Sequence, residues 1–86
     1  MLETVRRLID EKANLSLRAC DLAPDGDLYR AGLTPFAAIQ LMLAIEKEFE
    51  VEFPRQMLNR QSMSSISRIV FCIRELQEGA APLRAA

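Results

Sequence analysis

Apolar residues recur at helical spacing near both ends of the chain. In residues 1–14, Leu2, Val5 and Leu8 lie on one side of a predicted helix and charged residues on the other, with Asn14 as a plausible stop. Near the other end, a second amphipathic helix is predicted with Ser62 or Ser64 as its N-cap and Gly79 as its end. Its apolar positions follow i, i+3, i+4, i+7 and i+10 spacing: Ile66, Ile69, Val70, Ile73 and Leu76.

Between these segments lies a third predicted helix, which we call the central helix. Thr34 is a good N-cap residue, Pro35 is favoured at the first helical position, and the helix is predicted to run to about Phe49. Pro54 is predicted to end any helical structure that continues beyond Phe49. One apolar stripe is sufficient to face a core: Ala38, Leu41, Met42, Ile45 and Phe49.

The central helix carries more apolar residues than one buried face requires. Phe36, Ile39 and Leu43 form a second stripe, displaced around the helix. Three polar residues stand beside this stripe: Gln40, Glu46 and Lys47. Two interpretations remain open at this stage: the second stripe is covered by a loop of the same chain, or it is exposed and binds a partner.

The remaining segments hold no regular period. Residues 15–33 are rich in Pro, Gly and Asp and form a predicted long loop. A loop of this length in a compact domain must be anchored to the rest of the fold. Five leucines are the predicted anchoring side chains: Leu15, Leu17, Leu22, Leu28 and Leu33. Residues 55–60 are predicted to form one short helical turn. The predicted fold is therefore all-α: a small bundle of three main helices plus one short helix, with a domain at residues 1–79 and a flexible tail at 80–86.

Composition and charge exclude several classes of function. The formal charge is −1 and no apolar run is long enough to span a bilayer, so neither nucleic acid nor a membrane is an expected partner. The N-terminal residues do not follow a signal-peptide pattern, and we expect a cytoplasmic protein. The chain has no histidine, and its two cysteines, Cys20 and Cys72, are not at metal-ligand spacing. We predict no metal site and no enzymatic activity.

Three stretches resemble the acyl carrier protein family: DLYRAGL before the central helix, LMLAIEKEFEVEFP along and after it, and LNRQSMSSI before the last helix. The matching region covers residues 27–69. The chain is similar to small free-standing bacterial carriers, some of which receive amino acids from truncated synthetase-like ligases. The resemblance implies a small acyl-carrier-like helical bundle.

In that family an Asp-Ser-Leu motif opens the central helix, and its serine takes a 4′-phosphopantetheine arm from coenzyme A. The helix N-terminus favours the phosphodiester. Here Thr34, Pro35 and Phe36 stand at the three motif positions. Proline has no hydroxyl, so no ester can form at residue 35, and no cofactor is expected. Thr34 has a hydroxyl, but it stands one residue early and its predicted use is to cap the helix.

The resemblance also implies where partner enzymes bind. In the family, the residue after the serine and those further along the central helix face the partners. The corresponding positions in this chain are Phe36, Ile39, Gln40, Leu43, Glu46 and Lys47. Family carriers often have more acidic residues on this face, and Gln40 and Lys47 depart from that pattern.

The sequence therefore predicts a monomeric, carrier-like protein without a phosphopantetheine site. It would act as a scaffold or binding module for a ligase, synthase or transferase of a lipid, polyketide or amino-acid transfer pathway. The alternative is a functional acyl or aminoacyl carrier, bearing 4′-phosphopantetheine on a non-standard hydroxyl. A third interpretation, a small-molecule-binding bundle, requires a sizeable internal cavity.

Overall fold

The computed structural model contains three α-helices: α1 (Leu2–Lys12), α2 (Pro35–Phe49) and α3 (Ile66–Ala85). It describes the backbone of residues 1–85 and the side chains of residues 1–78. No β-strand occurs within the described backbone, which agrees with the predicted all-α fold. Residues 55–60 were predicted to form one short helical turn, but the structure has two successive 3₁₀ turns, Arg55–Met57 and Arg60–Met63.

The core lies between the three helices, and α1 contacts both α2 and α3. Each helix contributes one buried apolar stripe because its apolar residues recur every three or four positions. The largest fully buried side chains are Val5, Ile9, Leu28, Leu41, Ile45, Met63, Ile66, Ile69 and Ile73. Cys72 is buried in this core and Cys20 is exposed, and neither forms a disulfide.

The long loop between α1 and α2 is held to α1 by two charged side chains. The Arg6 guanidinium donates hydrogen bonds to the carbonyl oxygens of Ala19 and Leu22. Asp10 Oδ1 accepts from the backbone N–H of Ala19 at 2.8 Å. A 3₁₀ turn, Ala19–Asp21, lies at this attachment. The polar face of α1 therefore has a structural use in addition to its contact with solvent.

The same loop is attached to the start of α3 by backbone hydrogen bonds. The N–H of Leu28 donates to the carbonyl of Ser64 at 2.8 Å, and the N–H of Ser67 donates to the carbonyl of Pro24 at 2.9 Å. Leu22, Leu28 and Leu33 are buried, as predicted, and Leu15 is half-buried. The prediction for Leu17 was wrong: it is 52% exposed, and hydrogen bonds from the side chains of Arg6 and Asp10 hold the neighbouring part of the loop instead.

Helix α3 differs from its predicted limits at both ends. Ser65 Oγ accepts a hydrogen bond from the N–H of Arg68, so Ser65 caps the helix. Ser62 and Ser64 instead donate to backbone carbonyls of the preceding turns. The helix also continues past Gly79 to Ala85. The flexible tail predicted at residues 80–86 stays a prediction, because those side chains and residue 86 lie outside the described residues.

Candidate functional site

The start of α2 is fixed by the chemistry of two adjacent residues. Thr34 is the N-cap, and its Oγ1 accepts a hydrogen bond from the N–H of Ala37 at 3.1 Å. Pro35 is the first helical residue, where a missing N–H breaks no helical hydrogen bond. Helix α2 ends at Phe49, so its predicted start, cap and end are all confirmed.

The chain enters α2 through a tight turn. Gly32 has a φ of +114°, a conformation in which any residue with a side chain is strained. The N–H of Leu33 then bonds back to the carbonyl of Leu28 at 3.0 Å. Because Leu28 and Leu33 are buried, this turn sets the position of the first residues of α2 against the core.

The second apolar stripe of α2 is exposed, which excludes the interpretation that a loop of the same chain covers it. Phe36 is 72%, Ile39 56% and Leu43 54% exposed. We call these three residues the apolar ridge. Gln40 and Lys47 are also exposed and lie beside it. Five of the six predicted partner-binding residues therefore stand together on an accessible face; their contact with a partner stays a prediction.

The sixth residue, Glu46, has a structural role that the sequence did not reveal. It is half-buried, and its Oε2 accepts a hydrogen bond from the N–H of Phe53 at 2.7 Å. The chain turns just after α2, where Glu50 adopts a left-handed conformation and the N–H of Val51 bonds to the Glu46 carbonyl. Glu46 thus holds the buried Phe53 in place.

A second glutamate near the ridge is also engaged within the chain. Glu48 Oε1 accepts from the Arg7 guanidinium at 3.1 Å, and Arg7 also binds Glu11 at 3.1 Å. These hydrogen bonds with Glu11 and Glu48 raise the pKa of Arg7 above its usual value. Residues 46–52 contain four glutamates. Among the described residues, the side chains of Glu46 and Glu48 form these bonds, whereas those of Glu50 and Glu52 form neither an ion pair nor a hydrogen bond.

An open groove of about 670 Å³ runs along the Ile39 side of the ridge. It lies between α2 and the segment that contains the two 3₁₀ turns. Most of the residues along it are apolar: Pro35, Ala38, Ile39, Met42, Leu43, Phe53, Leu58 and Met63. It is a surface groove, whereas the small-molecule interpretation required an internal cavity.

A stacked pair, Tyr29 and Arg60, is among the residues that line this groove. The Arg60 guanidinium carbon lies 3.9 Å from the centre of the Tyr29 ring, and the Tyr29 hydroxyl donates to the Arg60 carbonyl at 2.9 Å. Burial raises the pKa of the Tyr29 phenol, and the positive charge of Arg60 opposes that rise. Sequence reasoning missed this pair because the partners are 31 positions apart and follow no periodic pattern.

The residues at the start of α2 offer a surface to which a partner could bind, but they offer little for attachment of a cofactor. Thr34 carries the one side-chain hydroxyl at the family's motif positions, and that oxygen already accepts the capping hydrogen bond. Residue 35 offers no oxygen to which a phosphopantetheine arm could be joined, so this position does not fit the group. Among the described residues, no cluster of three potential metal ligands exists. No described helix has both the length and the apolar character needed to cross a membrane.

A three-helix bundle whose capped central helix presents an exposed ridge defines a carrier-type domain, and comparison with known proteins agrees. Residues 3–70 match the family described as "Phosphopantetheine attachment site". The chain is 39% identical over 79 residues to the aminoacyl carrier protein of Agrobacterium fabrum (strain C58 / ATCC 33970), covering 92% of this chain and 95% of the relative. The chain therefore belongs to the phosphopantetheine attachment-site family of carrier proteins.

Two solved structures support the same assignment. In a crystal structure, a carrier protein from Agrobacterium tumefaciens is complexed with AMP and an engineered Bradyrhizobium japonicum glycine:carrier protein ligase. This chain matches that structure with a TM-score of 0.84 and 40% identity, and the match covers 86% of this chain and 99% of the other. The solution structure of an A. tumefaciens protein matches with a TM-score of 0.74 and 38% identity, and the match covers 95% of this chain and 99% of that protein. The predicted fold and family are confirmed. Carrier proteins are not enzymes, which also confirms the prediction of a non-enzymatic protein.

Proposed function

We propose that this protein is a carrier-type docking module that binds a partner enzyme through the apolar ridge without carrying a phosphopantetheine arm at residue 35. One observation carries the proposal: Pro35, which has no hydroxyl, directly precedes Phe36, the most exposed large apolar side chain of α2. The attachment chemistry is missing where the family has it, while the binding surface beside it is kept.

The exposure of the ridge supports docking on energetic grounds. Burying apolar surface stabilises a complex by about 25 cal/mol per Å² removed from water, before the costs of association are subtracted. Phe36, Ile39 and Leu43 lie on consecutive turns of one rigid helix. Because a helix holds these side chains in fixed relative positions, little backbone order has to be gained on binding.

The relatives suggest the class of partner. Since a carrier protein 40% identical to this chain is complexed with a glycine:carrier protein ligase, a ligase of that class is the partner we propose first. Of the pathways considered from the sequence, we therefore propose an amino-acid transfer pathway ahead of lipid or polyketide synthesis. The cytoplasmic location of the protein stays a prediction from the sequence.

A second candidate function rests on Thr34. Its side chain is exposed and its hydroxyl stands at the N-terminus of α2, one residue before the family's attachment position. A transferase that accepted this hydroxyl would make the protein a functional acyl or aminoacyl carrier. Against this, modification would compete with the capping hydrogen bond to Ala37.

Binding to the B. japonicum glycine:carrier protein ligase, measured by titration calorimetry, tests the proposed docking. We expect Leu43→Ser to weaken binding by about tenfold, the equivalent of about 1.4 kcal/mol. Leu17→Ser is a matched control, because Leu17 is exposed to nearly the same degree but lies in the loop before α2. Equal effects of the two substitutions would contradict docking through the ridge. No binding of the parent protein would exclude this ligase as a representative partner.

A further inference from the structure

The position at which the family attaches its cofactor adjoins the ridge that we propose as a docking surface. Thr34, Pro35 and Phe36 are consecutive and all exposed at the start of α2. Leu43 lies seven residues beyond Phe36 on the same side of the helix, which is about 10 Å at 1.5 Å per residue. A partner surface that covers the ridge therefore reaches residue 35, because Phe36 is its immediate neighbour.

The start of α2 presents no acceptor group to such a partner. A ligase that loads a carrier needs an acceptor at this end of the docked helix, and in the family the arm at the position of Pro35 supplies it. Pro35 has no hydroxyl to hold an arm, and the Thr34 oxygen already accepts the 3.1 Å hydrogen bond from the N–H of Ala37. Docking and loading are therefore separated in this chain: the surface is present and the acceptor is not.

We infer that this chain is a competitive inhibitor of its partner ligase. Through the apolar ridge it occupies the surface that binds an arm-bearing carrier, and it receives no amino acid. The inference rests on the proposed function and adds a form of regulation at the same site. It is supported by the A. tumefaciens carrier, because a protein with the same fold and 40% identity to this chain is complexed with a ligase of the proposed class.

The missing arm has two consequences for inhibition. An arm-bearing carrier has both its arm and its surface with which to contact the ligase, whereas this chain has its surface alone, so a single substitution on the ridge should have a large effect. Because nothing is transferred to it, the chain leaves the ligase unchanged, and its occupancy depends only on its concentration and affinity. At ten times its inhibition constant, a competitive inhibitor raises the apparent KM for the carrier about elevenfold and leaves kcat unchanged.

Displacement of a labelled carrier tests whether the two proteins share one site. The A. tumefaciens carrier, bearing a fluorophore, is bound to the engineered B. japonicum ligase, and its anisotropy is followed as this chain is added. The parent should displace the carrier completely. Leu43→Ser should require about ten times more protein for the same displacement. The matched control Leu17→Ser, exposed to nearly the same degree but outside the ridge, should act as the parent does.

Titration calorimetry with the same ligase distinguishes failure of the inference from failure of the proposed function. A parent that binds the ligase but leaves the carrier in place would overturn competition while docking stands. Equal displacement by Leu43→Ser and Leu17→Ser would overturn the ridge as the shared surface. A parent that binds to neither the free ligase nor its complex would contradict the proposed function for this ligase, and the inference with it.

Initial rates of glycine loading onto the arm-bearing carrier test the mode of inhibition. The parent should raise the apparent KM for the carrier, leave kcat unchanged and gain no glycine itself. Thr34→Asp combined with Pro35→Ser, once it carries the arm, should gain glycine and so change from an inhibitor into an alternative acceptor. A lower kcat at saturating carrier, or glycine on the parent chain, would overturn the inference.

Discussion

The N–H of Ala37 donates a 3.1 Å hydrogen bond to the hydroxyl oxygen of Thr34, bridging over Pro35 at the first position of α2. At the point where the family joins its cofactor, this chain therefore has a helix cap and a helix-starting proline. Both groups stabilise the start of α2: Pro35 carries no nucleophile, and the Thr34 oxygen is engaged in the cap. The predictions below test this structural use of the site and the exposed ridge that follows it.

Pro35→Ala should lower the free energy of unfolding by about 0.4–1 kcal/mol. Proline restricts the unfolded chain, and at the first helical position its missing N–H breaks no hydrogen bond, so replacing it loses an entropic advantage. Urea denaturation followed by circular dichroism at 222 nm would measure the change. A variant as stable as the parent, or more stable, would mean that Pro35 is strained in the folded state.

The two faces of α2 should respond differently to the same substitution. Leu43→Ser should change the free energy of unfolding by no more than about 0.5 kcal/mol, because Leu43 is exposed. Leu41→Ser should cost about 2–5 kcal/mol, because Leu41 is fully buried and the change leaves both a cavity and a buried hydroxyl. The same urea titration measures both, and similar losses would show that the apolar ridge is covered in solution.

Local chemistry explains which parts of the fold were predictable. Helix α2 has its predicted limits because Thr34 and Pro35 act only on their immediate neighbours. The start of α3 was missed because several serines are equally good caps by sequence, and the choice of Ser65 depends on the turns before it. Leu17 was expected to be buried because it is a leucine in a long loop, but side chains of α1 and backbone hydrogen bonds hold that loop instead.

The candidate site was predictable to a similar extent. Helical spacing identified Phe36, Ile39 and Leu43 as a separate stripe, whereas their exposure depended on where the long loop lies. The hydrogen bond from the N–H of Phe53 to Glu46 could not be predicted, because it closes a turn in which Glu50 adopts a left-handed conformation. Contacts across many residues follow from the tertiary fold and leave no periodic trace in the sequence.

Tyr29 should ionise above its usual pKa of about 10, because burial disfavours the charged phenolate. It is the single tyrosine of a chain without tryptophan, so absorbance at 295 nm follows it alone. Removing the positive charge in Arg60→Gln should raise this pKa further, because Arg60 lowers it in the parent. A lower pKa in Arg60→Gln would contradict the stacked pair.

The raised pKa of Tyr29 also has a consequence for stability. The folded state holds the phenolic proton more tightly than the unfolded chain, so this contribution is complete below the unfolded pKa of about 10 and is lost as the pH rises through the higher folded pKa. Urea midpoints should therefore decrease at alkaline pH. A midpoint that increases from pH 9 to pH 11 would contradict the direction of the shift.

The intact mass of the protein after incubation with coenzyme A, magnesium and a broad-range phosphopantetheinyl transferase tests the central claim most directly. Thr34→Asp combined with Pro35→Ser is the matched control: it restores the family's attachment motif, and aspartate is also a good N-cap. The account predicts that the double variant gains one phosphopantetheine arm, located at residue 35 by peptide mass analysis, while the parent keeps its original mass. A parent that gains the arm would contradict the account, and Thr34 would be the first hydroxyl to examine.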